Sequence, residues 1–296
     1  MYPAEFEYFT PRTVDEALAL LVEHGEDAKL LAGGQSLVPM MKLRIASPRY
    51  VIDVNGIEGL AGLGRVGDRL VMGALCRHAD VQASPIVREH LPLMLDAVNQ
   101  TADVQVRNRG TVAGSLAHAD PAGDWPAALL ALETQVTIAS PRGQRTTPLE
   151  AFIVDAYTTT LATDEMVTEV SVGIPGPRSR GAYVKFEKRA GDFAVASVAV
   201  QIGLDGDRCV SVAVSLGALG ATPIRARAAE ALLQGQEVSA VLIGRAAELV
   251  RDAAQPFDDT RGSVDYKRHL SGVLFRRACA VAIDRVRGLQ VATLHV

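Results

Sequence analysis

One segment constrains this chain more than any other: Lys29-Leu-Leu-Ala-Gly-Gly-Gln-Ser36. Lys29 to Ala32 is a short apolar run that predicts a buried strand, and Gly33-Gly34 breaks it. Ser36 stands where a helix over Leu37 to Leu43 needs an N-cap. That helix must end before Ser47-Pro48, because a residue ahead of proline is pushed out of the α region. Tyr50 to Val54 is the next strand. Upstream, Thr13 and Glu16 form a capping box, and Val14, Ala17, Leu18, Leu21 and Val22 recur at helical spacing up to Gly25. Strand, glycine turn, helix and strand in that order predict a parallel α/β unit over residues 1–56.

The rest of the chain changes character twice. Residues 57–175 read as mixed α+β. Arg69 to Ala74 is a strand, Ile86 to Asn99 is helical despite Pro92, and a glycine-rich stretch runs from Arg109 to Asp124. An apolar helix, Trp125 to Leu132, and a strand, Gln135 to Ser140, entering a hairpin complete this part. Pro175-Gly-Pro177 is the sharpest punctuation, and a domain boundary is expected there. Residues 176–296 predict a three-stranded antiparallel sheet (Ala182 to Lys188, Phe193 to Leu204, Arg208 to Leu219, with a turn at Asp205-Gly206). Three helices follow, at Ala226 to Leu233, Val241 to Ala253 and Tyr266 to Val286.

Composition then removes whole classes of function. A length of 296 residues corresponds to about two domains. Thirty Lys plus Arg against 34 Asp plus Glu leave a net charge of −4, so no basic surface for nucleic acid is expected. The longest uncharged stretch, Cys209 to Ile224, is too short and too polar to span a bilayer. The opening MYPAEFEYFTPRT has no basic-then-apolar run, so a cytoplasmic location is expected. Cys76, Cys209 and Cys279 are scattered and odd in number, which suits neither a disulfide scaffold nor a metal cluster.

Among the motifs, Gly62-Leu-Gly-Arg-Val-Gly67 matches G-x-G-x-x-G, but Asp68 to Gly73 continues it as a strand. The dinucleotide fingerprint needs a helix there, so a hairpin is expected instead. Ala32 to Ser36 and Gly110 to Ser115 have better context: small residues and hydroxyls at backbone turns, where N–H groups can approach an anion. Two such segments point to a phosphate-containing cofactor lying between subdomains. His118 and Asp120 show no ligand or triad spacing, and a loop bonded to its own backbone is the simpler expectation. Asp124 is either a helix cap or a carboxylate for a ribose hydroxyl.

Taken together these residues resemble the FAD-binding medium subunit of the molybdenum hydroxylases, the xanthine dehydrogenase and aerobic carbon monoxide dehydrogenase family. Lys29 to Ser36 followed by Leu-Val-Pro-Met-Met-Lys-Leu-Arg44 looks like that family's first FAD diphosphate loop. Thr111-Val-Ala-Gly-Ser115 with Asp124 looks like the second, and Tyr183 to Ala194 resembles the signature opening its C-terminal domain. The matches occur in the family's order and span nearly the whole chain, whose character is closest to the carbon monoxide dehydrogenase type. The resemblance implies an FAD-binding domain of the vanillyl-alcohol-oxidase (PCMH) type, followed by the C-terminal α+β domain.

It also implies an electron-transfer role in a complex, a dimer of heterotrimers. A large subunit would hold molybdopterin cytosine dinucleotide and a small subunit two [2Fe–2S] clusters. Electrons would pass through FAD to a quinone, cytochrome or other acceptor. Attachment to the inner face of the cell membrane would come only through a partner. Carbon monoxide is the first substrate expected, with nicotine, purines or other N-heterocycles as the alternative. A stand-alone NADPH-dependent flavin reductase of the same fold is the principal rival.

By resemblance, Lys29, Leu30, Leu31, Ala32, Gly33, Gly34, Gln35 and Ser36 would bind the diphosphate together with Thr111, Val112, Ala113, Gly114 and Ser115. Thr101 and Asp124 would contact the adenosine or ribitol side, Lys185 would lie near the flavin, and Val167 would supply a backbone or apolar contact. Phe193 matches a position where some relatives carry Tyr beside the isoalloxazine ring, the alternative being a core aromatic on its strand. Gln35 and Ala113 depart from a His and a Gly found in relatives. No catalytic acid–base residue and no metal ligand is expected on this chain, because the flavin carries the redox chemistry.

Overall fold

The structure, a computed structural model, describes residues 2–289 and 291. It begins with β1 (Glu7–Phe9), α1 (Val14–His24), β2 (Ala28–Leu31), α2 (Leu37–Lys42) and β3 (Tyr50–Asp53). The strands form a parallel sheet in the order β1-β3-β2, the α/β unit expected with one further strand at its edge. Thr13 accepts from the Glu16 N–H at 3.1 Å, and Gly25 closes α1 at φ 52°, where a side chain would be strained. Ala17, Leu18 and Leu21 bury the inner face of α1 with Ile52 of β3.

The middle unit continues with β4 (Leu63–Val66), β5 (Arg69–Gly73), α3 (His78–Ala83), α4 (Pro85–His90), α5 (Pro92–Gln100), α6 (Val104–Arg107), α7 (Val112–His118) and α8 (Asp124–Leu130). Then come β6 (Thr134–Ser140), β7 (Gly143–Pro148), α9 (Leu149–Phe152), the small pair β8 (Ile153–Asp155) and β9 (Thr158–Thr159), and β10 (Met166–Gly173). Its main sheet is antiparallel, in the order β4-β5-β10-β6-β7. Gly62 to Gly67 enters the β4–β5 hairpin, as the strand pattern after it required. The single helix expected over Ile86 to Asn99 is two. Leu91 leaves helical geometry (φ −129°, ψ 55°) and Pro92 starts α5, where its missing N–H breaks no helical bond. Trp125, Phe152, Leu70 and Met72 pack the core beneath this sheet.

The last unit contains β11 (Ser179–Phe186), β12 (Ala196–Asp205), β13 (Arg208–Gly217), β14 (Ile224–Arg225), α10 (Arg227–Leu233), α11 (Ala240–Ala253) and α12 (Val264–Val286). The sheet is antiparallel with four strands, not three. After Pro223 the chain makes one short pairing with β13, Ser215 to Arg225 and Leu216 to Ile224, before turning helical. Strand β12 starts at Ala196, so Phe193 is not a core aromatic on it; the residue is 48% exposed.

This sheet does not stand apart from the middle unit. Tyr183 and Ala199 belong to the same core as α5 and α8. The Arg285 guanidinium of α12 grips the buried Asp96 carboxylate of α5 at 2.6 and 2.8 Å and donates to the Gly181 carbonyl at 2.7 Å. Burial pushes the Asp96 carboxyl up, opposed chiefly by Arg285.

Candidate functional site

The two glycine segments meet. Strand β2 delivers Ala32 and Gly33 against Arg109 and Gly110, so close that a Cβ at Gly33 would lie 2.5 Å from the Arg109 carbonyl oxygen and 2.7 Å from the Gly110 Cα. Gly34 turns the chain at φ +73°. On the other side Thr111 caps α7 by accepting from the Gly114 N–H at 3.0 Å, and a Cβ at Gly114 would reach that hydroxyl at 2.6 Å. Between them lies a cleft of about 550 Å³, within the range of cofactor sites.

Its lining includes Lys29, Leu30, Leu31, Ala32, Gly33, Gly34, Gln35, Ser36, Thr111, Ala113, Gly114, Ser115 and Val167. Val112 is buried behind them in the first turn of α7.

The donors of this cleft are unspent. Among the described residues, the backbone N–H groups of Gly33, Gly34, Gln35 and Ser36 donate to no protein acceptor, and neither does that of Ala113. Ser36 was expected to cap α2, but its hydroxyl makes no capping bond and its backbone is already helical (φ −107°, ψ −52°). A row of free N–H groups beside a helix start suits a phosphate, since backbone donors left without partners are costly unless a ligand or water takes them. The residues fit an FAD diphosphate. Among the described residues no cluster of His, Cys, Asp and Glu could hold a metal. No helix among them is long and apolar enough to cross a membrane.

His78, Tyr157, Leu161 and Met166 also line the cleft, and sequence reasoning had not singled them out as site residues. They come from segments without glycine or motif character. Tyr157 holds a left-handed backbone at φ 56°, with its ring 5.3 Å from that of His118. Asp120 forms a turn by accepting from the Ala122 N–H at 2.9 Å, the self-bonded loop expected.

The buried His78 imidazole stacks on Trp125 at 5.5 Å. Burial first, then Arg107 and Arg77, lower its pKa from 6.5 to about 4. The unfolded chain therefore takes up a proton below pH 6.5 that the native state refuses until pH about 4. Stability should fall by about 3 kcal/mol as pH drops through this window. Melting curves of wild type and His78→Gln across it should differ in slope, the variant losing less.

The remaining expected site residues gather elsewhere. Asp124 is not a cap: Gly123 occupies that position, and the Asp124 side chain points into the seam with the C-terminal unit. There the Tyr183 hydroxyl donates to Asp124 at 2.7 Å. The Lys185 ammonium, 1% exposed, lies 3.1 Å from Asp124 and 2.8 Å from Glu187. It also donates to the carbonyls of Gln100 (2.6 Å) and Asp192 (3.0 Å). Burial, the largest influence, pushes the Asp124 carboxyl up against the pull of Lys185 and Tyr183.

Thr101 sits at the end of α5 beside this cluster, its hydroxyl donating to the Ala97 carbonyl at 2.8 Å. Phe193 lies under the Arg261 guanidinium at 5.7 Å. Thr101, Asp124, Lys185 and Phe193 are thus outside the cleft lining.

Residues 4–175 match the family described as the FAD binding domain in molybdopterin dehydrogenase. Residues 181–282 match the CO dehydrogenase flavoprotein C-terminal domain. The chain is 38% identical to the carbon monoxide dehydrogenase medium chain of Hydrogenophaga pseudoflava, over 96% of this chain and 99% of that one. It is 39% identical to the nicotine 6-hydroxylase medium subunit of Paenarthrobacter nicotinovorans, over 93% and 96%. A solved structure of the Hydrogenophaga carbon monoxide dehydrogenase superposes with a TM-score of 0.94 at 40% identity, covering 96% of this chain and 99% of that chain. With both family matches in chain order and relatives of this identity along nearly its whole length, the chain belongs to the family of FAD-binding medium subunits of molybdenum hydroxylases.

Proposed function

We propose that this chain is the FAD-carrying electron-transfer subunit of a molybdenum hydroxylase complex that oxidises carbon monoxide. The observation that carries the cofactor assignment is the run of unpartnered N–H groups at Gly33 to Ser36 facing the capped turn at Thr111 to Ser115. FAD, when bound, supplies a centre that accepts electrons one at a time and releases them to a second acceptor. The backbone of Gly33 to Ser36 and of Ala113 holds the diphosphate, and Ser36 and Ser115 add hydroxyls. Val167 and Met166 form an apolar wall that excludes water from the cleft.

Partners follow from the same reading: a large subunit with molybdopterin cytosine dinucleotide and a small subunit with two [2Fe–2S] clusters, arranged as a dimer of heterotrimers. Cys76, Cys209 and Cys279 are too few and too scattered in the sequence to supply the four thiolates of a [2Fe–2S] cluster, which supports placing the clusters on a partner. The acceptor is a quinone, a cytochrome or another carrier, reached through a partner where it lies at the membrane. A nicotine or purine type of substrate is the second reading, favoured by the 39% identity to the nicotine 6-hydroxylase medium subunit, against 38% to the carbon monoxide dehydrogenase medium chain. Native affinity purification tests both. Two co-purifying chains with molybdenum, iron and FAD are expected, and turnover of carbon monoxide against nicotine by that complex decides the substrate. A yellow, metal-free single chain that oxidises NADPH would replace this reading with the stand-alone reductase.

Thr101, Asp124, Lys185 and Phe193 belong to this proposal as contacts for the rest of the cofactor. Lys185 is the residue proposed to tune it, because a buried cation favours a reduced, anionic flavin. Lys185→Met leaves Asp124 and Glu187 without their cation and should lower the flavin reduction potential, measured by dye equilibration. An unchanged potential with FAD retained removes Lys185 from this role.

A further inference from the structure

We propose that Arg77 and Asn55 are positioning residues that set the spacing of the two glycine loops for the FAD diphosphate, an inference that rests on the FAD reading above. Neither side chain lines the cleft. Both act on the backbone immediately ahead of a cleft glycine. The Asn55 amide donates to the Ala32 carbonyl at 2.9 Å, one residue before Gly33. Its amide oxygen accepts from one end of the Arg77 guanidinium, and the other end of that guanidinium donates to the Arg109 carbonyl, one residue before Gly110. A continuous side-chain bridge therefore runs from the first loop to the second: Ala32 carbonyl, Asn55, Arg77, Arg109 carbonyl.

The chemistry of each member suits the task. Asn55 donates to one loop through its amide nitrogen and accepts from Arg77 through its amide oxygen, so a carboxylate, with no proton to give, would lose the Ala32 link, and a serine hydroxyl, shorter and with a single oxygen, would not span both. Only arginine presents a rigid fork whose two ends reach separate acceptors. The bridge is itself held still. Asp53 accepts from the Asn55 N–H at 2.9 Å and from its side-chain amide, and the Tyr8 hydroxyl donates to Asp53 as well. The Arg77 N–H donates to Asp80 at 2.8 Å, and Arg77 and Thr111 pair as an isolated antiparallel bridge.

The need for such a device follows from the contact it spans. Gly33 and Gly110 approach so closely that no Cβ fits, and the free donors sit on the residues just beyond. A small separation of the loops would misalign every donor at once, since hydrogen bonds weaken steeply with distance and angle. The two loops belong to different units, β2 of the first sheet and the approach to α7 of the second, so no shared ladder fixes their distance. The bridge does.

The test is FAD rebinding to the FAD-stripped full chain, followed by flavin fluorescence, with the melting temperature of the stripped protein beside it. Arg77→Met should raise the FAD Kd about tenfold, the loss expected for one charge-assisted hydrogen bond, with the stripped protein melting as wild type does. Arg77→Lys keeps the charge but reaches one carbonyl only, and should recover part of the affinity. Should Arg77→Met fail to fold, the lysine variant carries the comparison. The double variant Arg77→Met with Asn55→Ser should bind no more weakly than the worse of its two parents, because a bridge cut once is already open.

An unchanged Kd in the variants, or losses that add in the double variant, overturns the bridge while leaving FAD binding by the wild type intact. A wild-type chain with no affinity for FAD overturns both readings.

Discussion

Gly33→Val should give a folded chain that carries no FAD. The atoms a side chain would meet there, the Arg109 carbonyl oxygen at 2.5 Å and the Gly110 Cα at 2.7 Å, are backbone on both counts. No rotamer change relieves that contact, so the loops must part. Overpacking of this kind costs about 1–3 kcal/mol, which a chain held by three extensive hydrophobic clusters can absorb. Cofactor binding cannot absorb it, because the displaced backbone carries the donors themselves. The measurement is the flavin absorbance of the purified variant, with its melting temperature as the folding control. Gly64→Ala is the matched comparison: nothing lies within 4 Å of its added Cβ, and it should retain FAD fully. Full occupancy in Gly33→Val would sink the assignment of the diphosphate to this loop.

Lys185→Met should be the most destabilising single change in the seam between the middle and C-terminal units. Lys185 is 1% exposed and Asp124 8%, and Glu187 stands 2.8 Å from the same ammonium. Removing one member of a buried ion pair leaves an uncompensated charge and costs about 3–5 kcal/mol. Denaturant midpoints should show that loss near neutral pH. The loss should shrink as pH falls. Burial already pushes the native Asp124 carboxyl above its unfolded value, and without Lys185 it rises further. The native state then holds a proton more tightly than the unfolded chain, so stability returns as pH drops through the native pKa. Asp124→Asn added to Lys185→Met should recover part of the stability, because it removes the stranded charge. A double variant as unstable as the sum of its parents would show that Lys185 acts through its packing and its carbonyl partners instead.

The parallel α/β start, the hairpin in place of a dinucleotide loop, and the two glycine segments were legible because each rests on local chemistry. Thr13 caps α1, Gly25 ends it, and Gly34 turns the chain, all by interactions within a few residues of themselves. The split at Leu91–Pro92 was written in the same local terms and was outweighed by the apolar period running through it. Strand β14 had no such signal. Its two residues are extended because β13 offers an edge, and that offer exists only after the sheet has formed.

The site divides the same way. Residues 32–36 and 110–115 announce backbone chemistry, since small residues and hydroxyls at turns do this wherever they fold. Asp124 looked like a cap because it precedes an apolar helix, yet its carboxylate is taken by Tyr183 and Lys185, about sixty positions downstream. His78 and Tyr157 carry no pattern that would have marked them as cleft residues. Sequence by itself therefore determined which backbone segments could receive a phosphate, through glycine, hydroxyl and cap positions that act over single turns. Tertiary structure alone decided that the two segments touch, that Arg77 and Asn55 join them, and that Lys185 is neutralised in a dry seam. Those outcomes depend on distances between residues far apart in the chain, which burial and packing set and no local spacing encodes.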